Sequence, residues 1–200
     1  MGDKCPDENR NWIGFVTDWA HDIDSFLTAI WAEIGDFATP RCGYAGLATL
    51  ATQSDTGPQM RNLVIRDANR RDGLVHLHTD RQTPKVTEID ANSAASLLIW
   101  RPETQLQIRL GGRAEVLGAY AARQIWADVP FASRGNYGVT PAPGSAIESS
   151  DAYERLPDES RLAVLQFHVD HIDAVHLGKP HHIRARFDKA RGWQGQWVAP

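Results

Sequence analysis

The sequence predicts a mainly β protein, an antiparallel β-barrel of six or more strands capped by helices. Short runs of β-forming residues bounded by turn residues fill the chain after Pro40, and helical periodicity is confined to the start and to gaps between strands. With 200 residues, 42% of them hydrophobic, the chain is long enough for one sizeable core and short for two. We therefore predict a single domain, 1–200, with an N-terminal helical segment at 11–36 and a barrel with inserted helices at 43–200.

The first element is an amphipathic helical segment. Apolar residues recur at three-and-four spacing from Trp12 to Ile34, which is typical of one helical face. Asp24 and Ser25 are good N-cap residues, so the segment can be two helices, the second ending near Gly35.

The remaining elements follow from alternation and turn residues. Thr83 followed by Pro84 is typical of a helix start and predicts a short helix through about Asn92, and a second amphipathic helix is predicted at 118–128. Residues 129–161, rich in Pro, Gly and Ser, predict a long loop, and Gly111-Gly112 predicts a β-bulge. The predicted strands are 43–52, 59–66, 74–79, 95–101, 105–117, 162–169, 172–177, 183–187 and 193–198.

Composition and charge exclude several classes of protein. A net charge of −4 disfavours general binding to nucleic acid, which needs a basic face. No stretch approaches the roughly 18 apolar residues that cross a bilayer. Cys5 and Cys42 are far apart and belong to no C-x-x-C pair, so we expect free thiols and neither a disulfide framework nor a zinc ribbon. These features, with the polar N-terminus, predict a cytoplasmic protein that does not bind membranes.

Cationic residues near two predicted element ends indicate a phosphate site. Arg61 and Arg66 lie five apart on one predicted strand, so a regular strand would place them on opposite faces. Lys85 falls in the first turn of the helix that Thr83 opens, close to a strand ending at Thr79. A lysine there is unfavourable with the helix dipole unless an anion neutralises it. Each residue alone is also compatible with a solvated surface charge.

Five segments resemble, in order and spacing, the FMN-binding core of the pyridoxamine 5'-phosphate oxidase superfamily. The resemblance extends roughly from Tyr44 to Pro200, and the ordered series is more specific than any of its parts. The segments are 61–66 (RNLVIR), 77–80 (LHTD), 83–85 (TPK), 96–100 (SLLIW) and 107–115 (QIRLGGRAE).

The resemblance implies a split β-barrel that binds FMN and forms a homodimer with the flavin site at the subunit interface. Gln107 matches a glutamine that hydrogen-bonds the isoalloxazine ring, normally from the neighbouring subunit, and Arg186 matches a further flavin-contacting arginine. The backbone around Leu63 and Val64 would lie along the flavin. The residues implied to hold the phosphate and ribityl chain are Arg61, Arg66, Thr79, with its neighbour His78, Thr83 and Lys85.

The departures from the family pattern concern the substrate. A substrate arginine of the family falls on Val129, and a flavin-stacking tryptophan falls on Val175. The Arg-Leu-His run of the true oxidases is replaced by 182–184 (HIR), and the expected Gln-Ser pair by 141–145 (PAPGS). The N-terminal helical segment and the Thr79-Asp80 pair resemble the uncharacterised FMN-binding branch of the superfamily more than the true oxidase.

The first functional hypothesis is an FMN-dependent oxidoreductase acting on an unidentified small, anionic substrate, with the flavin rather than a side chain performing the chemistry. The substrate would lie near Arg66, Trp126, Ser133, His182 and Arg184. The alternatives are a non-catalytic flavin carrier or sensor, a barrel that binds haem or a deazaflavin, and a pyridoxamine or pyridoxine 5'-phosphate oxidase. The histidines of the last third lack the spacing of a metal site, so no metal is expected.

Overall fold

The computed structural model of the chain describes residues 18–38, 46–178 and 180–200. It confirms the predicted class, a mainly β, antiparallel fold with helices at its ends. Its helices are α1 (Ile23–Ala38), α2 (Pro84–Ala91), α3 (Ala119–Trp126) and α4 (Phe131–Arg134). Its strands are β1 (Leu47–Ser54), β2 (Gly57–Asn69), β3 (Leu74–Asp80), β4 (Ala94–Arg101), β5 (Leu106–Val116), β6 (Val139–Thr140), β7 (Glu154–Arg155), β8 (Leu162–His176), β9 (Ile183–Asp188) and β10 (Gln194–Trp197).

The main sheet closes on itself through β8. Its strand order is β10-β9-β8-β3-β2-β1-β4-β5, and a further pairing of β5 with β8 completes a ring of six strands. The first half of β8 pairs with β3 and its second half with β9, while β5 follows the other side of the same strand. The sheet therefore branches at β8. One branch closes the barrel, and the other, formed by β9 and β10, extends away from it.

The predicted strands 162–169 and 172–177 are wrong as two separate elements, because they form the single strand β8. In the pairing with β5, Gly111 faces His171 and Gly112 faces Val169, so Asp170 is an extra residue between them. The predicted bulge at this level is confirmed, with the extra residue on the facing strand. A Cβ at Gly112 would lie 1.9 Å from the carbonyl oxygen of His168. The glycine is therefore required by the close approach of the two backbones.

Helix α1 covers one side of the barrel. Its core-facing residues follow the predicted three-and-four spacing and are all buried: Phe26, Leu27, Ile30, Trp31, Ile34 and Phe37. The second helix was predicted to begin at Asp24 or Ser25, but it begins earlier, at Ile23. Its cap is Asp22, whose Oδ1 accepts the backbone N–H of Ser25 at 2.6 Å. The predicted end near Gly35 is wrong, since the helix continues to Ala38. The predicted helical residues 11–17 lie outside the described residues.

The segment 129–161 was predicted to be one long loop but contains regular structure. Helix α4 lies within it, and β6 pairs with β7 as a separate two-stranded sheet. The segment is held to the barrel by Asp80, whose carboxylate accepts the backbone N–H of Gly138 at 2.9 Å and both guanidinium donors of Arg161 at 3.0 and 2.8 Å.

No helix in the described ranges is long and apolar enough to cross a bilayer. Cys5 and Cys42, and the start of the predicted strand 43–52, fall outside the described residues. The single domain of 1–200 stays a prediction.

Candidate functional site

The two arginines of β2 point to opposite sides of the barrel wall, as the sequence predicts. Arg61 pairs across the sheet with the fully buried Leu50 and so shares its inward face. Further along β2, the pairing with β3 shifts between Ile65 and Asp67, which makes Arg66 an extra, bulged residue. The bulge turns Arg66 toward the outer surface, where His78 and Tyr137 lie.

Three predicted phosphate-binding residues meet where β3 ends and α2 begins. The hydroxyls of Thr79 and Thr83 are 3.3 Å apart, and Thr83 also donates to the carbonyl oxygen of Asp80 at 2.7 Å. Lys85 Nζ donates to Thr79 Oγ1 at 3.0 Å. Thr83 is the residue before α2 and Pro84 opens the helix, as predicted. The strand end and the first helical turn therefore bring two hydroxyls and one ammonium group together.

The charge of Lys85 is poorly compensated. Burial and, to a lesser extent, the nearby charge of Arg61 together lower the pKa of its ammonium group to about 8, although Glu88 and Asp80 act in the opposite direction. Within the part of the chain that the structure describes, no carboxylate lies within 4.0 Å of Lys85 Nζ. A half-buried cation whose hydrogen-bond partner is a neutral hydroxyl is a suitable place for an anion.

Arg61 is held beside this cluster by an ion pair that the sequence analysis missed. Its Nη2 donates to Glu88 Oε2 at 2.8 Å, and its Nη1 donates to the hydroxyl of Thr52. Glu88 lies one turn after Lys85 on α2, so the predicted helix already contained the signal for a carboxylate next to the two cations.

Arg66, His78 and Trp126, three more predicted residues, gather on the outer face around Tyr137. The ring of Tyr137 lies edge-on to His78 at 6.5 Å and to Trp126 at 6.1 Å between centroids. Burial raises the pKa of the Tyr137 phenol, and the charge and hydrogen bond of Arg66 oppose that shift. Burial, with help from Arg66 and His76, lowers the pKa of His78 to about 4.

Gln107, Arg184 and Arg186 form a third group, beside the second half of β8, whereas β3, which ends near Lys85, pairs with the first half of that strand. Gln107 lies on β5, and the two arginines lie on β9. Both arginines bind the carboxylate of Asp173 on β8, together with Arg109 of β5. Asp173 was not predicted, because two separate strands were predicted where β8 is continuous, and the register with β5 and β9 depends on that continuity.

The other predicted residues are less closely tied to these groups. Leu63 and Val64 are half-buried on β2, facing Ala48 and Leu47 of β1. Ser133 is half-buried on α4, and His182 is exposed just before β9. No group of three or more His, Cys, Asp or Glu residues within the described ranges could hold a metal ion.

The residues near Lys85 suit the phosphate of a flavin mononucleotide. They offer one ammonium group, two hydroxyls and the adjacent Arg61, which is the donor set that a phosphate dianion requires. On the outer face, the Nε of Arg66 is buried without a hydrogen-bond partner. That unpaired donor is a second observation that favours a polar ligand along β2.

Comparison with known proteins concerns the family and the fold of the chain. Residues 24–118 match the family model described as the FMN-binding domain of pyridoxamine 5'-phosphate oxidase. No curated protein matches the chain. The solved structures similar to it share its fold at low sequence identity.

Three of these structures illustrate the likeness. A pyridoxamine 5'-phosphate oxidase-related, FMN-binding protein from Nostoc punctiforme is 21% identical, with a TM-score of 0.67, over 88% of this chain and 96% of its own. PhzG from Burkholderia lata, solved with tetrahydrophenazine-1-carboxylic acid, is 18% identical, with a TM-score of 0.69, over 88% and 91%. A protein related to general stress protein 26 from Clostridium acetobutylicum is 14% identical, with a TM-score of 0.58, over 84% and 97%.

The fold is thus that of the split barrels related to pyridoxamine 5'-phosphate oxidase. The family model, over residues 24–118, and the similar solved structures together support the pyridoxamine 5'-phosphate oxidase superfamily that the sequence resembles.

Proposed function

We propose that this chain binds FMN and acts as an FMN-dependent oxidoreductase on a small anionic substrate. The observation that carries the proposal is Lys85, a half-buried ammonium group whose hydrogen-bond partner is the neutral hydroxyl of Thr79. The flavin phosphate would bind Lys85, Thr79 and Thr83, with Arg61 beside them. The name of the matching family domain supports the choice of FMN.

When bound, FMN supplies hydride or electron transfer at N5 of its isoalloxazine ring. The side chains would bind and orient it. In this proposal Gln107 pairs with the pyrimidine edge of the ring, since an amide can both donate and accept hydrogen bonds. Leu63 and Val64 provide the strand along which the ring lies, and Arg66 and Arg186 supply further positive charge.

Position 129 supports a substrate other than that of the true oxidases. Val129, where the resemblance expects a substrate-binding arginine, is 4% exposed and packs with Ala122, Tyr137 and Leu162 in a separate apolar cluster. The position therefore offers no charge to a substrate phosphate. We propose that the protein belongs to the uncharacterised FMN-binding branch, and that its anionic substrate is recognised by Arg66, Arg184 and the aromatic face of Trp126.

We further propose that the protein works as a cytoplasmic homodimer with the flavin between subunits. Gln107 and Arg186 lie beside the second half of β8, whereas Lys85 lies in the first turn of α2, after β3 has paired with the first half of β8. A second copy of the chain would bring the two sets to one flavin.

The cofactor is tested on the purified protein. A yellow protein with oxidised-flavin absorption, and FMN released on denaturation and identified by mass spectrometry, is the expected result. A colourless protein that also fails to bind added FMN in a fluorescence titration would show that the proposal is wrong. A haem or deazaflavin spectrum would identify a different occupant.

The oxidoreductase activity needs a separate test, because flavin binding alone also fits a carrier or sensor. The bound flavin is mixed anaerobically with reduced nicotinamide nucleotides and then with oxygen, and its absorption near 450 nm, typical of oxidised flavin, is followed. Reduction and reoxidation over many turnovers support an enzyme. A flavin that no donor reduces supports the carrier.

The shared site is tested by mixing two variants, Lys85→Met and Arg186→Gln, at an FMN concentration at which neither variant alone binds FMN. In a heterodimer, one of the two sites combines the intact Lys85 of one subunit with the intact Arg186 of the other. Recovery of FMN binding in up to half of the sites of each heterodimer is expected. Two variants that stay unable to bind FMN after subunit exchange would contradict the shared site.

A further inference from the structure

Asp173 lies at the centre of a cross-strand arrangement that the site described above does not explain. On β8 it is directly opposite Arg109 of β5 on one side and Arg186 of β9 on the other. Arg184 lies two residues before Arg186 and so projects from the same face of β9. Three arginines from two flanking strands therefore converge on one carboxylate of the strand between them.

The contacts use both oxygens of that carboxylate. Arg184 binds in a bidentate manner, with Nε 2.9 Å from Oδ1 and Nη2 2.8 Å from Oδ2. Arg186 Nε and Arg109 Nη2 donate to Oδ2 at 3.1 and 2.6 Å. The hydrogen bond from Arg184 lowers the pKa of Asp173 most, burial opposes the shift, and Arg186 and Arg109 lower it further, so the carboxylate stays ionised.

The arginines differ from their shared partner in exposure. The side chain of Asp173 is 9% exposed, whereas those of Arg109 and Arg186 are 49% and 61% exposed. Both line a groove of about 870 Å3 whose other polar walls include Ser96 and Gln194. The groove is also lined by Asp188 and Arg191, which pair with each other at 4.0 Å. The cluster around Asp173 itself has three positive charges against one negative charge, and the exposed guanidinium groups of Arg109 and Arg186 present this excess to the groove.

We infer that Asp173 is a positioning residue, which fixes Arg109, Arg184 and Arg186 in one rigid arrangement that binds the flavin through Arg186 and its anionic substrate through Arg184. The inference rests on the proposed function, because Arg186 is the proposed flavin contact and Arg184 the proposed substrate contact. A free arginine side chain is flexible, and anchoring one edge of each guanidinium leaves its other N–H groups pre-oriented.

Two effects of removing the charge of Asp173 have opposite signs, which makes the inference testable. If Asp173 only reduced the local positive potential, Asp173→Asn would bind an anionic flavin more tightly. If Asp173 positions the arginines, the same substitution weakens binding although the positive charge increases. The direction of the change in dissociation constant therefore separates the two roles.

The experiment measures FMN dissociation constants and melting temperatures for the wild type, Asp173→Asn, Asp173→Glu and a control. The control is Glu33→Gln, which breaks the partly buried pair of Glu33 and Arg101, at 2.6 Å, between α1 and the end of β4. Asp173→Asn and Glu33→Gln each remove one carboxylate from an ion pair, and the melting temperatures report how far each variant is destabilised. We expect about tenfold weaker FMN binding in Asp173→Asn, partial recovery in Asp173→Glu and wild-type affinity in Glu33→Gln.

The nitrogen resonances of the arginine side chains give an independent reading in the free protein. Slow exchange of the Nε–H protons of Arg184 and Arg186, lost in Asp173→Asn but kept in Glu33→Gln, is expected. Unchanged or tighter FMN binding in a folded Asp173→Asn variant would overturn the inference while leaving the proposed function intact. Failure of the wild type to bind FMN would overturn both, and the wild-type titration alone distinguishes that case.

Discussion

Lys85 Nζ and Thr79 Oγ1 lie 3.0 Å apart, so the ammonium group in the first turn of α2 is bound to a neutral hydroxyl at the end of β3. The neighbouring Arg61 instead has the carboxylate of Glu88 as its partner. In the free protein, Arg61 is therefore paired with a carboxylate, whereas Lys85 is available to bind an anion. This asymmetry makes Lys85 the residue whose replacement is most informative.

Lys85→Met should weaken FMN binding about 10- to 100-fold, since a hydrogen bond to a charged group contributes about 1.5–3 kcal/mol. The unliganded protein should be as stable as the wild type or more so, because a poorly compensated, half-buried charge is removed. Fluorescence titration and thermal unfolding measure the two effects. The matched control is Lys189→Met, which removes a lysine bound to the carbonyl oxygen of Asp72. Equal affinity losses in both variants would contradict a specific role for Lys85.

FMN affinity should depend on pH above about 8. The pKa of Lys85 is lowered to about 8 in the free protein, and a bound phosphate would raise it again. Between about pH 7, where the phosphate is still a dianion, and pH 8 the ammonium group is already charged and the affinity changes little. Above pH 8 binding requires uptake of a proton, so the association constant falls up to tenfold per pH unit. Lys85→Met should abolish this slope, and a slope that persists in the variant would assign it to another group.

His78 should make the fold sensitive to mild acid. Burial, with Arg66 and His76, lowers its pKa from 6.5 to about 4, so between these values the unfolded chain binds a proton that the folded chain does not. Stability is then lost as the pH falls from about 6.5 to 4, by about 3 kcal/mol at most. Urea unfolding across this range should show a smaller loss for His78→Gln. His171→Gln, which changes an exposed histidine, is the control that should retain the wild-type dependence.

Two glycine substitutions should have opposite effects on stability. Gly112→Ala places a methyl group 1.9 Å from a backbone oxygen of β8, and we expect a loss of about 3 kcal/mol or more. Gly35→Ala lies within α1, with no atom within 4 Å of the new Cβ, and should stabilise the protein by about 0.5–1 kcal/mol. Chemical denaturation of both variants checks the signs. A tolerated Gly112→Ala would mean that the two strands separate more easily than their register indicates.

The sequence predicted the elements whose signals are local. The Thr83-Pro84 helix start, the β1–β2 hairpin and strand β3 were predicted within a few residues because each depends on neighbouring residues. The end of α1 was wrong because packing of Phe37 against the barrel extends the helix past Gly35. In that case tertiary contacts outweighed the low helix propensity of glycine.

The candidate site was predictable to the extent that its residues share a motif. The Thr79, Thr83 and Lys85 cluster follows from a strand end beside a helix start. Tyr137 and Asp173 were missed because their contacts with Arg66 and Arg109 join residues that are distant in sequence. Tyr137 meets Arg66 only through the folded segment 129–161, and Asp173 meets Arg109 only because β8 closes the ring. Such contacts depend on topology, which local periodicity does not report.

The position of β8 in the chain also determines when the barrel can form during synthesis. Strands β1 to β5 pair among themselves, but both seams of the ring, with β3 and with β5, require residues 162–176. Until those residues leave the ribosome, the nascent sheet has two open edges that can pair with other chains. The stretch recognised by the family model, 24–118, ends before β8. A fragment cut at that boundary is therefore expected to aggregate, because the stretch that the family model matches is smaller than the unit that closes the barrel.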